Sequence, residues 1–99
     1  MENKNLKTYI DYINDKIQVK IINNSNESIF IKFLHITILN NFCAEIYKVI
    51  DVPINRIFRY NDDITWSFPY VKPILKDTTV IVQIYSSDDV INFEPMQLP

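Results

Sequence analysis

No glycine occurs in this 99-residue chain, and that absence excludes several folds and functions at once. A phosphate-cradling P-loop and a dinucleotide-binding fingerprint both need glycine where the backbone turns tightly or approaches the ligand, so neither can be built. Positive φ falls to asparagine, the best non-glycine occupant of such positions, and Asn23-Asn24-Ser25-Asn26 is a polar turn of that kind.

The clearest periodic signals are strands. Ile17, Val19 and Ile21 alternate with Gln18 and Lys20, and 28–33 resumes a β pattern after the asparagine turn, so 17–33 reads as a hairpin. The β-branched run 78–85 is the most strand-like in the chain, with Val80, Val82 and Ile84 predicted inward and Ile81, Gln83 and Tyr85 outward. Helical spacing is read in two places. Leu6, Tyr9, Ile10 and Ile13 predict a short N-terminal helix capped by Asn5. Ile38, Phe42, Ile46 and Val49 or Ile50 predict a main helix opened by Thr37 and stopped by Val52-Pro53. A strand then restarts over 54–60, and Asn61-Asp62-Asp63 makes a turn. The aromatic stretch 64–75 carries Pro69 and Pro73 and reads as a packed connection with a short helical turn. Its alternating Trp66, Phe68 and Tyr70 are read as closing one end of the core.

The chain is long enough for one domain, and 47% hydrophobic residues suffice for a compact core. Ten Lys and Arg stand against twelve Asp and Glu, a balance that offers no basic excess to neutralise phosphates and argues against nucleic acid as a partner. No apolar run approaches the ~20 residues that cross a bilayer as a helix, and the first residues lack the apolar stretch of a signal peptide, so no membrane partner and a cytoplasmic or nuclear location are expected. The single Cys43 cannot close an intrachain disulfide.

No constellation of catalytic side chains stands out. His35 is the sole histidine and reads as structural, and Cys43 reads as a small core residue. Asp62-Asp63 and Asp88-Asp89 read as turn and solvated residues, lacking the alternation of a calcium loop. The expectation is therefore a non-enzyme with no cofactor, no metal and no small-molecule substrate.

Strand, strand, helix, strand, packed connection, strand over roughly 17–85 resembles the ubiquitin-like family. Within it the chain looks most like the elongin B-like members. Ser28-Ile29-Phe30 is similar to a segment of their second strand, Arg59-Tyr60-Asn61-Asp62-Asp63 to one of their turns, and Thr79-Val80 followed by Asp88-Asp89 to their last strand and acidic pair. Glu94-Pro95, flanked by Phe93 and Met96, is similar to part of their tail. Residues before the first strand, an early end to the tail and turns without glycine depart from the family.

The resemblance implies an α+β ubiquitin-like β-grasp: a mixed four- to five-stranded sheet packed on one main helix, with a short N-terminal helix. It divides the chain into an N-terminal extension (1–16), the ubiquitin-like domain (17–85) and a C-terminal tail (86–99). It also implies a protein-interaction module rather than a conjugated modifier, since no glycine can supply a diglycine terminus. The partner implied is an elongin C-like subunit of a cullin-type ubiquitin ligase. The alternative is a structural or cytoskeletal β-grasp module resembling doublecortin domains, which the net charge of −2 makes a poor match for acidic microtubules.

The candidate partner-binding residues are Phe58, Tyr60, Ile81, Gln83 and Tyr85 on strand faces, and Phe93, Pro95, Met96 and Leu98 in the tail. A one-residue shift in the third strand's register would exchange Phe58 for Ile57 and Arg59. Because the tail satisfies neither helical nor strand periodicity, it is expected to order only against a partner. Truncation after Tyr85 is accordingly expected to leave thermal stability nearly unchanged.

Overall fold

The computed structural model describes residues 6–40, 45–72 and 77–98, with Glu45 described only in its backbone. Eight strands make up the fold: β1 (Leu6–Ile13), β2 (Lys16–Asn23), β3 (Ile29–Asn40), β4 (Glu45–Phe58), β5 (Asp63–Pro69), β6 (Thr78–Ser86), β7 (Val90–Asn92) and β8 (Met96–Gln97). They form two antiparallel sheets, one in the order β1-β2-β5 and the other β4-β3-β6-β7, with β8 also paired to β6. The inward side chains of both sheets meet in one apolar cluster. Ile17, Val19, Ile21 and Phe68 come from the smaller sheet, and Leu34, Ile36, Ile38, Val80, Val82 and Ile84 from the larger. The architecture is that of a two-sheet β-sandwich.

This overturns the β-grasp expectation, because no helix occurs among the described residues. The expected main helix falls on the ends of β3 and β4, with 41–44 outside the described residues. Its supposed apolar face does not exist as one: Ile38 is fully buried while Ile46 is 64% exposed. The run is rich in β-branched Ile, Thr and Val, which lose rotamer freedom in a helix and fit a pleated surface. Two register shifts between β3 and β4, at Ile31/Phe33 and Ile38/Leu39, disguise the alternation. Ile29 and Ile31 face inward before the first shift, Leu34, Ile36 and Ile38 after it. The helical spacing itself joined inward Ile38 of β3 and core-packed Ile50 of β4 to outward Ile46 and Val49, so it mixed two strands and two faces.

The N-terminal helix is likewise corrected to strand β1. Leu6, Ile10 and Tyr12 pack inward at period two, while Tyr9 and Ile13 are exposed on the opposite face, so the helical spacing mixed two sides of one strand. A two-residue turn at Asn14-Asp15 joins β1 to β2, with φ of 53° and 58°. Two successive positive values are those of the tight hairpin turn whose twist matches the flanking strands. Asn55 and Asn61 take the remaining positive φ values among the described residues.

The predicted hairpin 17–33 is also absent. β2 pairs with β1 and β5, whereas β3 pairs with β4 and β6, so the asparagine turn carries the chain from one sheet to the other. Buried Asn23 holds that crossing. Its Nδ2 donates to the carbonyls of Glu27 and Phe58 at 3.0 Å, and its Oδ1 accepts from the Ser25 amide and hydroxyl at 2.8 Å.

Asp63–Pro69 is an edge strand rather than a packed connection, with Pro69 at its end, where a missing N–H costs the ladder least. Phe68 and Tyr70 are buried, and Trp66 packs against the core. Tyr70 also ties the two sheets together: its hydroxyl lies 2.7 Å from Thr78 Oγ1, and its carbonyl accepts from the Tyr12 hydroxyl at 2.8 Å.

The tail does not wait for a partner. β7 pairs with one half of β6 and β8 with the other, covering an edge that would otherwise bury unpaired backbone groups. Ile91, Phe93 and Leu98 are buried in the core. Hydrogen bonds from the Phe93 amide to Val82 O and the Leu98 amide to Thr78 O extend the pairing.

Candidate functional site

The two outward faces of the sandwich differ in chemistry. On the smaller sheet the cross-strand register places Lys7, Asp11, Lys16, Gln18, Lys20, Asp63, Thr65 and Ser67 together, with exposed Tyr9 and Ile13 among them on β1 and Ile22 opposite Lys7. On the larger sheet apolar and polar outward residues are mixed, with a larger apolar share than on the smaller sheet. Exposed Phe30 stands opposite exposed Ile57; Phe33 lies between Pro53 and Tyr85; and Thr37 lies between exposed Val49 and Ile81. An open groove of about 620 Å³ runs along this face, lined by Phe30, Lys32, Phe33, Asp51, Pro53 and Asn55.

The first register shift builds the groove. Because the strand changes phase there, Lys32 and Phe33 are successive residues that both line the outer surface. Opposite them, β4 carries an extra residue and places Asn55 at φ 51°. The Phe33 ring stacks on Tyr85 with centroids 4.5 Å apart and planes 11° from parallel. Both rings are therefore held side by side as a ridge. His35 adds an edge contact to Tyr85 at 6.0 Å, and its Nδ1 is 2.5 Å from Asp51 Oδ1 across the β3–β4 pair. The polar centre of an apolar surface is thus already organised.

The free edge of β4 is less suited to recognition. Pro53 offers no N–H, and the irregularities at Tyr47 and Asn55 interrupt the ladder, features that protect edge strands from adding a further strand. Binding through this region falls to the face of the sheet.

Among the residues expected to bind partners, Ile81, Gln83 and Tyr85 share this face on β6. Tyr60 is exposed, but in the turn after β4. Phe58 is fully buried and is corrected from surface to core; the alternative register, with Ile57 and Arg59 outward, is the one observed. Phe93 and Leu98 are also core, and Met96 packs against it, because β7 and β8 fold the tail onto β6; Pro95 remains exposed between them. His35 lies on a strand, half-buried. Cys43 lies outside the described residues.

Phe30, Lys32, Phe33, Asp51 and Pro53 were not among the expected binding residues, and His35 was expected to be structural. Alternation continued past Phe33 would have placed Phe33, His35 and Thr37 on one side of a strand. No group of three or more His, Cys, Asp or Glu side chains that could hold a metal ion occurs among the described residues, and no helix there is long and apolar enough to cross a membrane.

No protein-family model and no curated protein matches this chain. It is similar in fold to the X-ray structure of Northeast Structural Genomics Consortium target SoR45, with a TM-score of 0.62 over 98% of this chain and 87% of that one. At 10% identity the likeness concerns the fold alone.

Proposed function

We propose that the protein is a protein-interaction module that works through the outward face of β3, β4 and β6. The observation that carries this reading is the difference between the two outer faces. One is mostly charged and polar, with Tyr9 and Ile13 its exposed large apolar side chains, whereas the other exposes Phe30, Val49 and Ile57 beside the stacked Phe33–Tyr85 ridge. Scattered exposed apolar residues are ordinary, but a contiguous patch with polar groups set in it is characteristic of a surface that another molecule covers. The chemistry favours a protein over a charged polymer, since Lys32 and Asp51 of opposite sign line the same groove.

The elongin-type adaptor role depended on a helix crossing a hairpin. With no helix among the described residues and β2 and β3 in different sheets, the reading requires only a surface and no family.

The test compares the wild-type chain with a Phe33→Ser/Tyr85→Ser variant. Both side chains face outward, so circular dichroism should show the same fold, while capture of protein partners, including further copies of the chain, should be lost in the variant. Equal capture by the two would overturn the proposal.

A further inference from the structure

The apolar face has an order along β3 that bears on what covers it. Take the row Pro53–Phe33–Tyr85 as a centre. Toward one end come Asp51 and His35, continued by Gln83 and Asn92, then Val49 and Ile81 with Thr37 between them. Toward the other come Lys32 and Asn55 at the register shift, then Phe30 and Ile57. On each side polar residues therefore come first and apolar ones beyond them, with the anion Asp51 on one side and the cation Lys32 on the other.

A half-turn about an axis lying in the face along that central row exchanges the two sides. Strands of the second copy then run antiparallel over those of the first. The Asp51 side meets the partner copy's Lys32 side, and the reverse contact follows by symmetry. The apolar ends also meet each other, and the Phe33–Tyr85 ridges pack at the centre. A two-fold interface requires such self-complementarity, because a patch must fit a rotated copy of itself.

Size agrees. From Phe30 to Thr37 the strand rises roughly 23 Å, and β4 to β7 spans roughly 14 Å at the usual strand spacing. With side-chain margins the face covers at most roughly 500 Å², because β6 ends beside Ile31 and β7 covers only Gln83–Tyr85, so two copies bury up to about 1,000 Å², the size of a weak, reversible interface. Sheets pack face to face about 10 Å apart in the same way inside a sandwich.

We infer that the partner of this face is a second copy of the chain, forming a two-fold, sheet-on-sheet dimer in which Lys32 of each copy meets Asp51 of the other. This rests on the interaction-surface reading and names its partner.

Sedimentation equilibrium from about 10 μM to 1 mM, spanning the affinities of modest interfaces, tests it. The wild-type chain should dimerise. Lys32→Glu alone and Asp51→Lys alone each place like charges across the interface and should weaken dimerisation about tenfold or more. An equal mixture of the two variants, and the double variant Lys32→Glu/Asp51→Lys, should both restore it. Both side chains lie on an outer face, and circular dichroism verifies that each variant folds.

A wild-type dimer that is indifferent to the single swaps, or singles that the mixture does not restore, would overturn this geometry. A wild-type monomer at every concentration would overturn the inference. In that case capture of a different protein, lost in Phe33→Ser/Tyr85→Ser, would leave the interaction-surface reading standing, and absence of such capture would remove both.

Discussion

Asn23 shows how a chain without glycine manages an irregular crossing. Its amide group does what a run of ordered backbone would otherwise do, satisfying the carbonyls of Glu27 and Phe58 and receiving Ser25 through both its amide and its hydroxyl. The backbone of the same residue accepts from the Asn61 amide and donates to the Asp62 carbonyl, so two separate turns are pinned at one point. Removing the side chain takes these bonds from the Phe58 carbonyl and the Ser25 amide, both buried, while the Glu27 carbonyl keeps the Ser25 hydroxyl, at a cost of about 1–3 kcal/mol for each group left unsatisfied. Asn23→Ala should therefore lower unfolding free energy by about 3 kcal/mol in urea titration, since more than one such group is exposed to this loss. A loss near the ~0.5 kcal/mol typical of a surface substitution would show that water replaces these bonds freely.

At the scale of elements, the tail decides whether the larger sheet is complete. β6 has β3 along one side, and only β7 and β8 along the other. Truncation after Tyr85 deletes both and strips Ile91, Phe93 and Leu98 from the core. Each such side chain contributes about 1.5–3 kcal/mol, and together they rival the 5–15 kcal/mol by which whole domains are stable. The truncated chain should lose its cooperative thermal transition in calorimetry; a melting temperature within a few degrees of the full chain, on the order of a 1 kcal/mol change, would contradict the packing of the tail. This reverses the expectation drawn from the tail's irregular spacing. β7 and β8 are too short to display a period, and their order comes from the edge they cover.

For the whole molecule, the single apolar cluster joining both sheets predicts that they unfold together. Trp66, the sole tryptophan, lies on β5 of the smaller sheet and reports on it alone by fluorescence. Most strand residues of the larger sheet report through far-ultraviolet circular dichroism. The two signals should fall with the same urea midpoint. An earlier fluorescence transition would mean that the three-stranded sheet detaches while the larger one persists, and that the shared core is weaker than its burial implies.

Local alternation was enough to identify β2 and β6, to orient Ile17, Val19 and Ile21 inward, and to put Val80, Val82 and Ile84 opposite Ile81, Gln83 and Tyr85. These strands are regular and carry one buried face, so period two is written directly in the residues. Glycine's absence and the weak net charge were equally legible, because they depend on composition alone. Tertiary structure decided the rest. The register shift beside Tyr47 changed the phase between β3 and β4, and inward Ile38 and outward Ile46 and Val49, from two strands, fell at a helix-like spacing. Pairing between distant strands chose which sheet each run joined, turning an apparent hairpin into a crossing and an apparent loose tail into part of the core. The candidate face followed from those same events: Phe33, Asp51 and Tyr85 come together only when β3 lies between β4 and β6, and no spacing within one segment encodes which neighbours a strand will have.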